Sequence, residues 1–166
     1  MTPRPLDPDV VRQRLAHIEE LVAHLARHKD VTADELGSDI DLRHSALWIL
    51  TQLVAVAASV NGHISAACLG RAAATYREGF ALAADAGAVS AELLPSLFAA
   101  AGMRNVLVHE YGDIDLSRVA EAIPPAVTTF AAHAKGGRPV PHRADRPGRR
   151  SSSVVLRTPL SVVRSR

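Results

Sequence analysis

Residues 46–60 read ALWILTQLVAVAASV, the most apolar run in the chain. With Leu42 ahead of it, Leu47, Leu50, Leu53, Val54, Ala57 and Val60 recur at the three-and-four spacing of a helix rather than the alternation of a strand. Thr51, Gln52 and Ser59 interrupt the run, which by itself is too short to cross a bilayer. It reads as a central helix buried on most sides, and the rest of the fold has to wrap around it.

The flanking segments supply the wrapping. Asp7 followed by Pro8 has the form of an N-cap with proline at the first helical position, and Val11, Leu15, Ile18, Val22 and Leu25 follow at helical spacing. The first helix is predicted from Pro8 to about Lys29. TADE at 32–35 has the capping-box form and opens the long central helix, expected to run past Gly62 and stop before Gly70. TYRE at 75–78 repeats that form and starts a shorter helix that Gly87 ends. Ser90 can cap a fourth helix reaching about Tyr111, with a kink or restart at Pro95. Asp115 can cap a last one, which Pro124 and Pro125 should disturb. No segment of useful length has strand period. Few aromatic residues and many alanines and leucines also favour close helix packing, so the expected fold class is all-α: an antiparallel bundle of four to five helices.

One cysteine, Cys68, rules out an internal disulfide framework and any multi-cysteine zinc site. The opening MTPRPLDPDVV lacks the apolar stretch of a secretory signal, so a cytoplasmic, non-membrane protein is expected. The chain carries +2 in total, but its last 31 residues hold eight arginines against one acid, Asp145, a net of +7 that leaves −5 for residues 1–135. Two parts follow: a helical domain over 1–135 and a basic Arg/Pro/Ser-rich flexible tail over 136–166, which serves either as a solubilising extension or as a loose grip on RNA phosphates.

Chemistry concentrates in RNVLVHEY, residues 104–111. At ~100° per residue, Arg104 and Tyr111 share a stripe with Leu97, Ala100, Ala101 and Val108, while Asn105 and His109 make a second polar stripe ~100° away. A guanidinium on an apolar stripe requires a partner, either a carboxylate inside the bundle or an anion from outside such as phosphate. A histidine near it can exchange a proton close to neutral pH. An arginine and a histidine so placed are sufficient in principle to break RNA without a metal ion or other cofactor.

Arg104-Asn105-x-Leu107-Val108-His109-x-Tyr111 resembles the RNxLVHxY signature of the HepT-like branch of the HEPN superfamily. The surrounding segments resemble it too, over about residues 8–134. The resemblance implies a homodimeric helical bundle in which two motif segments meet at a cleft, with Arg104 and His109 as catalytic residues of an endoribonuclease and Asn105 beside them. It also implies a toxin whose partner is a MntA-like minimal nucleotidyltransferase antitoxin, transferring AMP from ATP to Tyr111. Two other readings stand beside this one: a noncatalytic helical dimer that binds a nucleotidyltransferase, and a basic-tailed RNA-binding module.

Other constellations are weaker. His17, His24 and His28 lie close to one stripe of the first helix, and the His24/His28 spacing can chelate a metal, but no matching acid or cysteine motif accompanies them, so a solvated face is expected. His63 reads as a hydrogen-bonded bundle histidine or a cleft residue. Asp39 and Asp41 either favour a helix N-terminus or position substrate. Trp48 reads as core or dimer-interface packing rather than an RNA-stacking platform. Phosphate-binding loops of the Walker and dinucleotide types are absent, which places any use of ATP on a partner.

Overall fold

The computed structural model describes residues 6–109 and 114–136. Tyr111 and the basic tail beyond Gly136 lie outside them. The described residues form six α-helices: α1 (Pro8–Ala26), α2 (Ala33–Ser38), α3 (Ile40–Leu69), α4 (Tyr76–Asp85), α5 (Leu94–His109) and α6 (Leu116–Gly136), with a single 3-10 turn (Ala91–Leu93) leading into α5.

Local chemistry sets most of the boundaries. Asp7 accepts hydrogen bonds from the backbone N–H groups of Asp9 and Val10 at 3.0 and 3.3 Å, and Pro8 begins α1 as expected. The helix stops at Ala26, short of Lys29, in a turn closed by the N–H of His28 on the carbonyl of Leu25. The capping box at Thr32 is complete: the Thr32 hydroxyl accepts from the Glu35 N–H, and the Glu35 carboxylate accepts from the Thr32 N–H at 2.8 Å. Those two donors of Thr32, the backbone N–H first and the hydroxyl second, hold the Glu35 carboxyl below its ordinary range.

The expected second helix is in fact two. Asp39 adopts an extended conformation, and its carboxylate captures the N–H groups of Asp41 and Leu42 at 3.0 and 2.9 Å. It ends α2 after six residues and starts α3 afresh. Asp39 is thus a cap.

α3 then runs for 30 residues to Gly70, which takes a left-handed conformation (φ 65°) and donates to the carbonyl of Ala66. At that length the helix does have the span and apolarity to cross a bilayer, unlike the 15-residue run read alone. Its packing gives the apolar character another cause: α1, α4, α5 and α6 all contact it. Ala46, Ile49, Leu53, Val54, Ala57, Val60 and Ile64 are buried, each larger side chain contributing about 1.5–3 kcal/mol relative to exposure. One side stays open, however. Trp48 is 55% exposed, so it is not core packing within this chain.

The Thr75 hydroxyl accepts from the Glu78 N–H and starts α4, but Glu78 turns back to the N–H of Ala74 rather than to that of Thr75, so the box is not reciprocal. Gly87 (φ 75°) follows the helix as expected. Ser90 caps the 3-10 turn and Pro95 falls second in α5, where its missing N–H costs nothing: the chain restarts here and does not kink. α6 begins behind Asp115 and passes unbroken through Pro124 and Pro125. The expected disturbance is absorbed because both prolines lie on the exposed side, although the carbonyls of Ala120 and Glu121 lose their usual donors. The opposite stripe, Val119, Ile123, Ala126 and Phe130, is buried, and α6 packs most extensively on α1, with α2, α3 and α5 also in contact.

Candidate functional site

α5 is apolar for most of its length and brings two polar side chains to its second half. Arg104 lies on the flank it shares with Leu97 and Ala101, which are 0% and 5% exposed. Its guanidinium carbon sits 5.0 Å from the centre of the Tyr76 ring, at the first residue of α4. The Nε of Arg104 is enclosed and has no hydrogen-bond partner among the described residues. Arg104 also borders a small apolar cavity of about 170 Å³ between α3, α5 and α6, near Leu50, Met103 and Phe130. The carboxylate partner inside the bundle that the sequence left open is not found among the described residues.

Asn105 is one position further round and faces outward. It lines a shallow concavity of about 750 Å³ walled by α3, α4, α5 and the segment joining α3 to α4. Tyr76, Arg77 and Phe98 line the same hollow over a floor of small residues from α3 and α5, among them Ala58, Gly62 and Gly102. Arg77 lies over the Phe98 ring, 4.5 Å from its centre. Two arginine–aromatic pairs therefore join α4 to α5: α4 supplies the ring in one and the cation in the other. His109 is the last residue of α5, one turn beyond Asn105 in helical register.

The structure thus separates the two polar stripes, Arg104 on the flank toward the core and Asn105 on the open face. The sequence did not single out Tyr76, Arg77 or Phe98. No local signal marks them, because the pairing exists only once α4 and α5 are packed together.

The remaining candidates have structural explanations. His63 Nε2 accepts from the backbone N–H of Asp7 at 3.1 Å, tying α3 to the start of α1. His17 approaches Glu20 at 3.5 Å, and the rings of His24, in the last turn of α1, and His28, in the turn that follows it, are 6.0 Å apart. Among the described residues no three His, Cys, Asp or Glu side chains come together to hold a metal. The structure also reveals a polar pair not anticipated: His133 of α6 and Asn61 of α3, each 1% exposed and 3.2 Å apart between Nε2 and Oδ1. Burial pushes the imidazole down to about 4.

The described residues thus form a six-helix bundle in which α5 ends in an arginine-asparagine-histidine segment, with the Tyr76 ring of α4 packed against the arginine. Residues 11–135 match the family described as Ribonuclease HepT-like, and the chain belongs to that family. A tRNA nuclease HepT from Aphanizomenon flos-aquae (strain 2012/KM1/D3) is 25% identical over 130 residues, covering 78% of this chain and 88% of the relative. Among solved structures, a tri-AMPylated HEPN toxin from Shewanella oneidensis, in complex with an MNT antitoxin, superposes with a TM-score of 0.67 at 19% identity. That match covers 77% of this chain and 96% of the toxin, and establishes a shared fold.

Proposed function

We propose that this protein is a metal-independent endoribonuclease, the cytoplasmic toxin of a toxin–antitoxin pair, acting as a homodimer and silenced by AMP transfer to Tyr111. The observation that carries the reading is the family match over residues 11–135, which spans the whole RNxLVHxY segment. The naming of the cyanobacterial relative as a tRNA nuclease makes tRNA the first substrate to try.

In this reading His109 takes the proton of a ribose 2′-OH as that oxygen attacks phosphorus. The bond to the 5′-oxygen breaks, and the leaving oxygen receives a proton. Arg104 stabilises the charge gathering on the phosphoryl oxygens. The half-buried guanidinium fits that task, because a cation held against a ring in a partly dry site attracts phosphate more strongly than one in bulk water. Asn105, on the open face, supplies hydrogen bonds to the substrate beside it.

Silencing would come from a MntA-like minimal nucleotidyltransferase. The Tyr111 oxygen attacks the α-phosphorus of ATP and pyrophosphate leaves. An anionic adduct two residues from His109 would then compete with RNA for Arg104. The AMP groups on the Shewanella toxin and its antitoxin partner are the support for this part of the proposal.

The test is cleavage of tRNA by the purified full chain in the presence of a chelator, with Arg104→Ala and His109→Ala compared at equal folding. Cleavage by the parent and a loss of about 100-fold or more in each variant are expected. Intact RNA at every protein concentration, with Tyr111 shown by mass to be unmodified, would instead mark a noncatalytic partner of the nucleotidyltransferase.

A further inference from the structure

The hollow between α3, α4 and α5 has a charge pattern unlike that of the rest of the folded domain. Residues 1–135 carry a net −5, yet among the described residues no aspartate or glutamate lines the concavity, although the carboxylate of Glu78 accepts from the Ala74 N–H at its edge. Its one charged lining residue is Arg77. Ser59, on the α3 wall, is bonded in addition by the guanidinium of Arg14, which brings a second cation to the rim. Among the described residues neither arginine is paired with a carboxylate.

Arg77 is also set in a particular way. Its guanidinium carbon lies over Phe98, 4.5 Å from the ring centre, which favours one placement of the side chain before any ligand arrives. An arginine on an aromatic ring offers a planar face for a nucleobase to stack on and N–H groups along its edge for a phosphate. The small-residue floor lets a polymer backbone come close, and Gly62 and Gly102 have nothing within 4 Å of where a side chain would begin. Tyr76 completes the arrangement: it lines the hollow and at the same time carries Arg104 on its ring. Whatever occupies the hollow therefore touches the ring that carries the guanidinium assigned to the chemistry, although Arg104 itself is not among the lining residues.

We propose that this concavity is a nucleotide-binding bay in which Arg77, stacked on Phe98, holds single-stranded RNA beside the phosphodiester to be cut. The inference rests on the ribonuclease reading for its substrate and adds to it a binding residue on α4, outside the RNxLVHxY segment. The occupant is taken to be RNA rather than a second copy of the chain because the one charged lining residue is a cation, and a two-fold contact that set the bay against its own copy would oppose like charges.

The test uses full-length protein carrying His109→Ala, so that a short single-stranded RNA survives while its affinity is measured at several salt concentrations. Adding Arg77→Ala should weaken binding about 5- to 20-fold and lower the salt slope by about one, and Arg77→Lys should recover part of the affinity but not the stacking. In the cleaving protein the loss should fall on KM more than on kcat. Unchanged RNA affinity in Arg77→Ala, whether or not its mass in solution drops to that of a monomer, would overturn the bay; a drop would mark the hollow as an interface between copies. The two readings fail separately. RNA binding that depends on Arg77 without cleavage sinks the ribonuclease and leaves the bay, while cleavage with unaltered affinity in Arg77→Ala does the reverse.

Discussion

His133 and Asn61 meet inside the core, imidazole Nε2 to amide Oδ1 at 3.2 Å, with the rings of Phe80 and Phe130 each 6.5 Å from the imidazole. An amide oxygen can only accept, so Nε2 carries the proton and donates, and burial, which favours the neutral ring, leaves Nδ1 bare and without a partner among the described residues. Protonating Nδ1 would put a charge where nothing can answer it.

Stability should therefore fall in acid. The folded imidazole titrates at about 4, whereas in the unfolded chain it has the ordinary value of 6.5. Between those values the unfolded chain binds a proton that the folded chain refuses. The contribution is whole above about pH 6.5, shrinks as pH falls and is spent near pH 4, a loss of about 3 kcal/mol. Urea unfolding from pH 7.5 to pH 4 should show this step in the parent protein and lack it in His133→Gln, whose side chain can still donate to Asn61 without titrating.

Arg104→Met should separate stability from activity. The substitution keeps an apolar stem on the Tyr76 ring and removes an enclosed Nε that no described residue satisfies. The thermal midpoint is expected to hold or rise, by up to about 1 kcal/mol in stability, while RNA cleavage disappears. A midpoint several degrees lower would mean that the guanidinium is a structural element.

Asp39→Ala should cost about 1 kcal/mol, since one carboxylate serves two backbone donors at the start of the central helix. Asp39→Asn should recover most of that loss. Denaturant midpoints of the three proteins are the measurement.

Trp48→Ala is expected to cost less than about 0.5 kcal/mol in the monomeric chain, because the indole is more than half exposed, against about 3–5 kcal/mol for Phe80→Ala in the core. A much larger loss at Trp48 that shrinks on dilution would show that self-association covers it.

The fold was legible in the sequence wherever a cap or a glycine marks a boundary, as at Asp7, Thr32, Thr75, Gly70 and Asp115. At Asp39 it was legible in part: the acid read as one that favours a helix N-terminus, which it does, but Leu36 and Leu42 carry the apolar pattern across the break and hid the separation of α2 from α3. The prolines of α6 misled for a related reason: their penalty depends on which face they occupy, and here both are exposed. His133 was available as a signal and went unread, since it continues the buried stripe of Val119, Ile123, Ala126 and Phe130 at helical spacing. For the site, the motif was visible as residue types, but the division of Arg104 and Asn105 between two faces, and the rings that α4 brings, depend on how separate helices pack.

α6 also sets a distance. It starts at Leu116 and ends at Gly136, ahead of the arginine-rich residues in sequence, and its 21 residues make a rod of about 30 Å. The helix therefore acts as a ruler that holds its two ends that far apart, and deleting two full turns would bring them roughly 11 Å closer.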